Sequence, residues 1–149
     1  MTETTSAIAP LQGIHHVRVT VTDIARSKDF YSTVFGRDPQ IDATDQVDEP
    51  GASEDPQRFY GGCVFELDGQ LFGLRPVAPS GDRFDSTRVG LDHVSFGVPT
   101  KADLESAAER LDAAGVENGG VISLTGNGMS ILSFQDPDDI NLELVAPEE

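Results

Sequence analysis

The chain has 149 residues, 26 acids against 10 lysines and arginines, a formal net charge of −16 and 38% apolar residues. A chain of this length can bury roughly 70% of its unfolded surface and needs no covalent staples. So acidic a surface repels phosphate backbones and anionic lipid, which argues against nucleic-acid and membrane partners and leaves a small molecule as the expected ligand.

Residues 1–10 have neither a basic start nor a long apolar stretch, and are read as a flexible leader rather than a signal peptide. No run of about 18 apolar residues suggests a membrane span. Cys63 is the sole cysteine, so no disulfide forms within the chain, which suits a reducing cytoplasm. In a strand beside Gly62 and Val64 it reads as a buried small hydrophobe rather than a nucleophile.

In chain order, Val17, Val19 and Val21 alternate with Arg18, Thr20 and Thr22, the pattern of a strand with one apolar face. Asp23 can cap a helix over Ile24–Phe35 that Gly36 ends, with Phe30 and Tyr31 in the core. Residues 37–43 resemble a short strand. Residues 44–57, acidic and carrying Pro50, Gly51 and Pro56, read as a mobile loop. Residues 58–67 and 70–77 form a predicted hairpin around Asp68-Gly69. Residues 78–88 read as a linker, separating a first module at 11–77 from a second at 89–149.

The second module repeats the plan. The stretch Gly-Leu-Asp-His-Val-Ser-Phe-Gly-Val at 90–98 matches Gly-Ile-His-His-Val-Arg-Val-Thr-Val at 13–21. Thr100 and Asp103 form a capping-box variant. Leu104, Ala107, Ala108 and Leu111 follow at helical spacing, and Gly115 stops the helix. Strands are expected at 121–124, 129–135 and 140–146, with Asp136-Pro137-Asp138-Asp139 as the last turn. The glycines at 119–120, 126 and 128 belong to turns. The expected class is α+β, with two βαβββ modules in tandem forming a cupped mixed sheet.

Period-two alternation sorts the strand residues by face. His16, Arg18 and Thr20 share a mixed face in the first module; His93, Ser95 and Gly97 share one in the second. His15 falls on the helix side. In the last strand Asn141, Glu143 and Val145 lie on the mixed face. Singly, such residues are usually structural. At duplicated positions, two imidazoles and one carboxylate form a donor set for a divalent metal that leaves coordination positions open to substrate.

These residues resemble the vicinal oxygen chelate superfamily, which includes glyoxalase I, bleomycin- and fosfomycin-resistance proteins, methylmalonyl-CoA epimerase and extradiol dioxygenases. Three motifs carry the resemblance, from Gly13 to Pro147: His16-Val17 leading to Asp23 and Ser27-Lys28-Asp29-Phe30-Tyr31; Gly90-Leu91-Asp92-His93-Val94; and Phe134 through Leu144. The resemblance implies metal ligands at His16, His93 and Glu143, with Glu143 also a possible base, and a bound Mn, Fe, Zn or Ni ion. Counting from the two hairpin turns puts the first-module counterpart of Glu143 at Arg75, where glyoxalase I-like enzymes have a carboxylate. Arginine neither ligates a metal nor acts as a base at neutral pH. Arg75 then either clamps a substrate anion together with Arg18, or pairs with Glu143 in place of the metal.

Three functions follow: a metal-dependent enzyme of isomerase, lyase or transferase type acting on a small oxygen-rich metabolite, an Fe(II) extradiol dioxygenase, or a metal-free ligand-sequestering protein of the resistance type. The acidic surface would favour a cationic ligand for the last of these. By analogy with the fold, a homodimer is expected, its modules closing within one chain or exchanged between two.

Overall fold

A computed structural model describes residues 6–148 of the chain. Residues 1–5 of the expected leader, and Glu149, lie outside the described residues. The chain divides into two compact units between Ala78 and Pro79. Both follow the βαβββ plan, and the class is α+β.

The first unit holds β1 (His16–Thr20), α1 (Ile24–Phe35), β2 (Ile41–Asp42), β3 (Cys63–Leu67) and β4 (Gln70–Arg75). Its sheet runs in the order β1-β4-β3-β2, with β1 parallel to β4 and the other neighbours antiparallel. Asp23 caps α1 by accepting from the Arg26 amide at 3.2 Å, and Gly36 ends it in the left-handed region at φ 66°. α1 lays Ile24, Ser27 and Tyr31 into the core. Tyr31 and Phe35 stack with Phe72, and Phe35 also meets Phe65, at centroid distances of 5.1–5.5 Å. Burial of Phe65 and Phe72 stabilises this core by roughly 1.5–3 kcal/mol each.

Residues 44–61 differ from the expected loop and strand. They form successive 3-10 turns at Thr44–Gln46, Ala52–Glu54 and Pro56–Gly61, and β3 starts only at Cys63. Arg58 binds this segment together, donating to Asp55 Oδ2 at 2.8 Å, Glu49 Oε1 at 3.3 Å and the Pro50 carbonyl at 3.2 Å. Phe59 and Tyr60 sit at φ 50° and 59°, which no strand can contain.

The second unit holds β5 (Val94–Gly97), α2 (Lys101–Ala113), β6 (Asn118–Leu124), β7 (Met129–Gln135) and β8 (Asn141–Pro147). Its sheet order, β5-β8-β7-β6, repeats the first, with β5 parallel to β8. The capping box forms as expected: Thr100 Oγ1 accepts from the Asp103 amide at 3.2 Å, and Asp103 Oδ2 accepts from the Thr100 amide at 3.0 Å. Leu104, Leu132 and Ala146 make the core, with Ala107, Ala108 and Leu111 of α2 packed against it. Asp136 shapes the β7–β8 turn, its Oδ1 accepting from the amides of Asp138 at 2.8 Å and Ile140 at 2.9 Å. That buried carboxylate replaces ladder partners which the turn residues lack.

Candidate metal and substrate site

In the second unit the β5–β8 register sets Ser95 directly opposite Glu143. Both side chains leave the same sheet face, and Ser95 Oγ donates to Glu143 Oε1 at 2.7 Å. His93 immediately precedes β5 rather than opening it. Its Nε2 stands 3.7 Å from Glu143 Oε1, while its Nδ1 lies 2.7 Å from Asp92 Oδ1. A carboxylate on Nδ1 favours the tautomer with its proton there, which leaves the Nε2 lone pair directed toward Glu143. Two cis donors on one ion at metal-bond lengths lie about 3–3.5 Å apart, so this pair fits a metal after a small adjustment. A groove of about 470 Å³ adjoins it, where Ser133, Gln135 and Asn141 offer hydrogen-bonding groups beside His93 and Glu143.

In the first unit His16 opens β1 and is exposed. Its Nδ1 lies 3.0 Å from His15 Nδ1. His15 is not packed on the helix side: it precedes the strand, where period-two alternation no longer applies, and it is exposed. Arg18 and Arg75 both approach the ring of Tyr60, with guanidinium carbons 5.5 Å and 3.9 Å from its centroid.

The strand registers assign a different counterpart to Glu143 from the one counted through the turns. Arg18 faces Gly73 just as Ser95 faces Glu143, while Arg75 faces Thr20. The two hairpin connections differ in length, with Leu67 paired to Gln70 but Gln135 paired to Asn141, so turn-to-turn counting shifts the position. Neither Gly73 nor Arg75 supplies a carboxylate.

The structure thus brings His93 together with Glu143, and Arg18 together with Arg75, each pair inside its own unit. Among the described residues, no three His, Cys, Asp or Glu side chains stand grouped to hold a metal ion. Three participants were not singled out from the sequence. Asp92 had a signal, its adjacency to His93, and Ser95 had its place on the mixed face. Tyr60 had none, because its position depends on the 3-10 turns.

The model of the Glyoxalase/Bleomycin resistance protein/Dioxygenase superfamily matches residues 13–144. The chain belongs to that superfamily. It is 30% identical over 141 residues to a putative ring-cleaving dioxygenase, MhqA, of Bacillus subtilis strain 168, covering 93% of this chain but only 42% of that relative. The chain therefore spans under half the length of the curated relative it matches. A glyoxylase/bleomycin resistance protein/dioxygenase domain from Frankia sp. EAN1pec superposes with TM-score 0.68 at 29% identity, covering 93% of this chain and 94% of that one. The fold is also that of a mutant of the fosfomycin resistance protein FosX from Listeria monocytogenes, solved with Mn(II) and 1S,2S-dihydroxypropylphosphonic acid (TM-score 0.68, 18% identity, covering 92% and 93%). No helix among the described residues is long and apolar enough to cross a membrane.

Proposed function

We propose that this chain is a divalent-metal-dependent enzyme acting on a small oxygen-rich molecule, with His16, His93 and Glu143 as the metal ligands. One observation carries the reading. The Asp92–His93 and Ser95–Glu143 hydrogen bonds orient an imidazole nitrogen and a carboxylate oxygen toward each other at 3.7 Å. Asp92 holds Nδ1 of His93 and leaves Nε2 available, while Ser95 fixes in place the same Glu143 oxygen that faces Nε2, and neighbours commonly steer metal ligands in this way. His16 would complete the set, either from the same chain or from the second copy in a homodimer with exchanged modules.

The bound ion would act as a Lewis acid on a substrate oxygen, in an isomerase, lyase or transferase reaction. The chain's own residues do the rest. Ser95 holds one oxygen of Glu143, and the other can accept a proton from the substrate carbon or hydroxyl. Ser133, Gln135 and Asn141 would orient hydroxyl and carbonyl groups in the groove. The buried thiol of Cys63 is consistent with a reducing cytoplasm.

The match to a putative ring-cleaving dioxygenase favours a second reading, in which the two histidines and Glu143 hold Fe(II) and the substrate is a catechol. Oxygen uptake by iron-loaded protein with a catechol tests it, and no uptake returns the assignment to non-oxidative chemistry. Metal analysis tests the first reading, and protein that binds no divalent ion would instead be a ligand-sequestering protein.

A further inference from the structure

Arg18 and Arg75 differ from the other cations described in the first unit. Elsewhere in the first unit the basic side chains have partners: Lys28 pairs with Asp42, Arg58 with Asp55 and Glu49, and Arg37 donates to the Glu66 carbonyl. Among the described residues of that unit, Arg18 and Arg75 have no carboxylate partner. They converge instead on one aromatic ring, that of Tyr60. Arg75 Nε is buried and has no hydrogen-bond acceptor. Two like charges drawn to one ring, with no carboxylate beside either, make a site that an anion would complete at the remaining N–H groups.

The backbone around them is built to this end. Phe59 and Tyr60, on the turn that carries the ring to the guanidiniums, both hold left-handed conformations, a strained arrangement for non-glycine residues. Asp55 fixes that turn through its carbonyl, which accepts from the amides of Arg58 at 3.1 Å and Tyr60 at 3.0 Å. Under Arg18 the sheet carries Gly73, where a Cβ would come within 3.3 Å of Arg18 Nε, so the arginine can lie flat across the strand. In a chain of net charge −16, such a cationic patch contrasts with the field around it.

We propose that Arg18, Tyr60 and Arg75 form an oxyanion-recognition platform for a ligand bearing a carboxylate or a phosphate-type group. Tyr60 holds the guanidiniums by cation–π contact, and their free N–H edges take the anion in a fork. The inference rests on the proposed function only in assigning the anion to the substrate; the binding itself needs no metal.

The test uses full-chain, metal-stripped protein. It has two tyrosines and no tryptophan, so tyrosine emission can report on Tyr60 directly. Inorganic phosphate and, separately, acetate are titrated at constant ionic strength, followed by emission and by calorimetry. Saturable binding is expected, weakened at least about tenfold in Arg75→Met. Tyr60→Phe should lose the optical change and keep the heat of binding. Tighter binding of phosphate assigns a tetrahedral oxyanion, and tighter binding of acetate a planar carboxylate; either supports the platform. Absence of saturable binding by the unaltered protein would overturn it, as would equal affinity in a folded Arg75→Met protein. Should that variant not fold, Arg18→Met is read the same way. His93→Ala should leave the anion affinity intact, and Arg75→Met should leave metal content intact, so failure here is distinguishable from failure of the metal assignment.

Discussion

Ser95 and Glu143 face each other across the parallel β5–β8 pair, joined by a 2.7 Å hydrogen bond from hydroxyl to carboxylate. The register alone puts them on one face, and the bond selects which carboxylate oxygen meets Ser95. With Asp92 on the far nitrogen of His93, both expected ligands of the second unit are held by neighbours rather than left to rotate.

Asp92→Asn should therefore weaken metal binding about 10–100-fold, because the amide no longer enforces a protonated Nδ1. The Asp92 side chain is 79% exposed, so unfolding stability should change by less than about 0.5 kcal/mol. Calorimetric metal titration beside a denaturant melt separates the two effects. Equal affinity in the variant would deny Asp92 this role.

Burial, with the nearby Asp42 charge adding to it and Lys28 opposing, pushes the Cys63 thiol up to about 12. Near neutral pH it should stay protonated and fail to react with iodoacetamide in the folded protein, yet react fully in strong denaturant. Mass spectrometry reads the result. Rapid labelling of folded protein would mean that β3 opens readily.

Gly62→Ala should destabilise the first unit by about 3 kcal/mol or more, since its Cβ would fall 1.9 Å from the Leu74 carbonyl oxygen on rigid backbone. Gly73→Ala should cost much less, because the nearest atom belongs to the flexible Arg18 side chain. Urea melts of the two variants should rank them in that order.

Acid should loosen both units. Burial pulls the Asp42 carboxyl upward, but hydrogen bonds from Lys28 and Thr44 outweigh it and leave the group below its usual range. Hydrogen bonds from Ser130 and Ser123 likewise lower Glu148. A carboxyl depressed in the folded state stabilises above its unfolded pKa, and that contribution fades as pH falls through the folded value. The urea midpoint should hold steady through neutrality and drop below about pH 4. Glu148→Gln should lower the midpoint at neutral pH and converge on the parent in acid. A constant gap between the two proteins would remove Glu148 from the account.

Much of the fold was legible because its signals are local. The Asp23 cap and Gly36 stop bound α1 as expected, Thr100 and Asp103 start α2, and β7 begins and ends where the alternation places it. Residues 44–61 were not legible, because Arg58 reaching Asp55, Glu49 and Pro50 is a tertiary arrangement with no periodic trace. The partner of Glu143 in the first unit was misplaced for a related reason: register counts paired residues, whereas chain counting includes turns of unequal length. His15 illustrates the same limit, since alternation carries no meaning one residue before a strand begins.

Metal content bears most directly on the central claim. Protein purified without chelator should carry about one divalent ion per chain, and His93→Ala, folded by circular dichroism, should carry almost none. Full retention of the ion in that variant, or its absence from the unaltered protein even after incubation with Mn, Fe, Zn and Ni salts, would contradict the assignment.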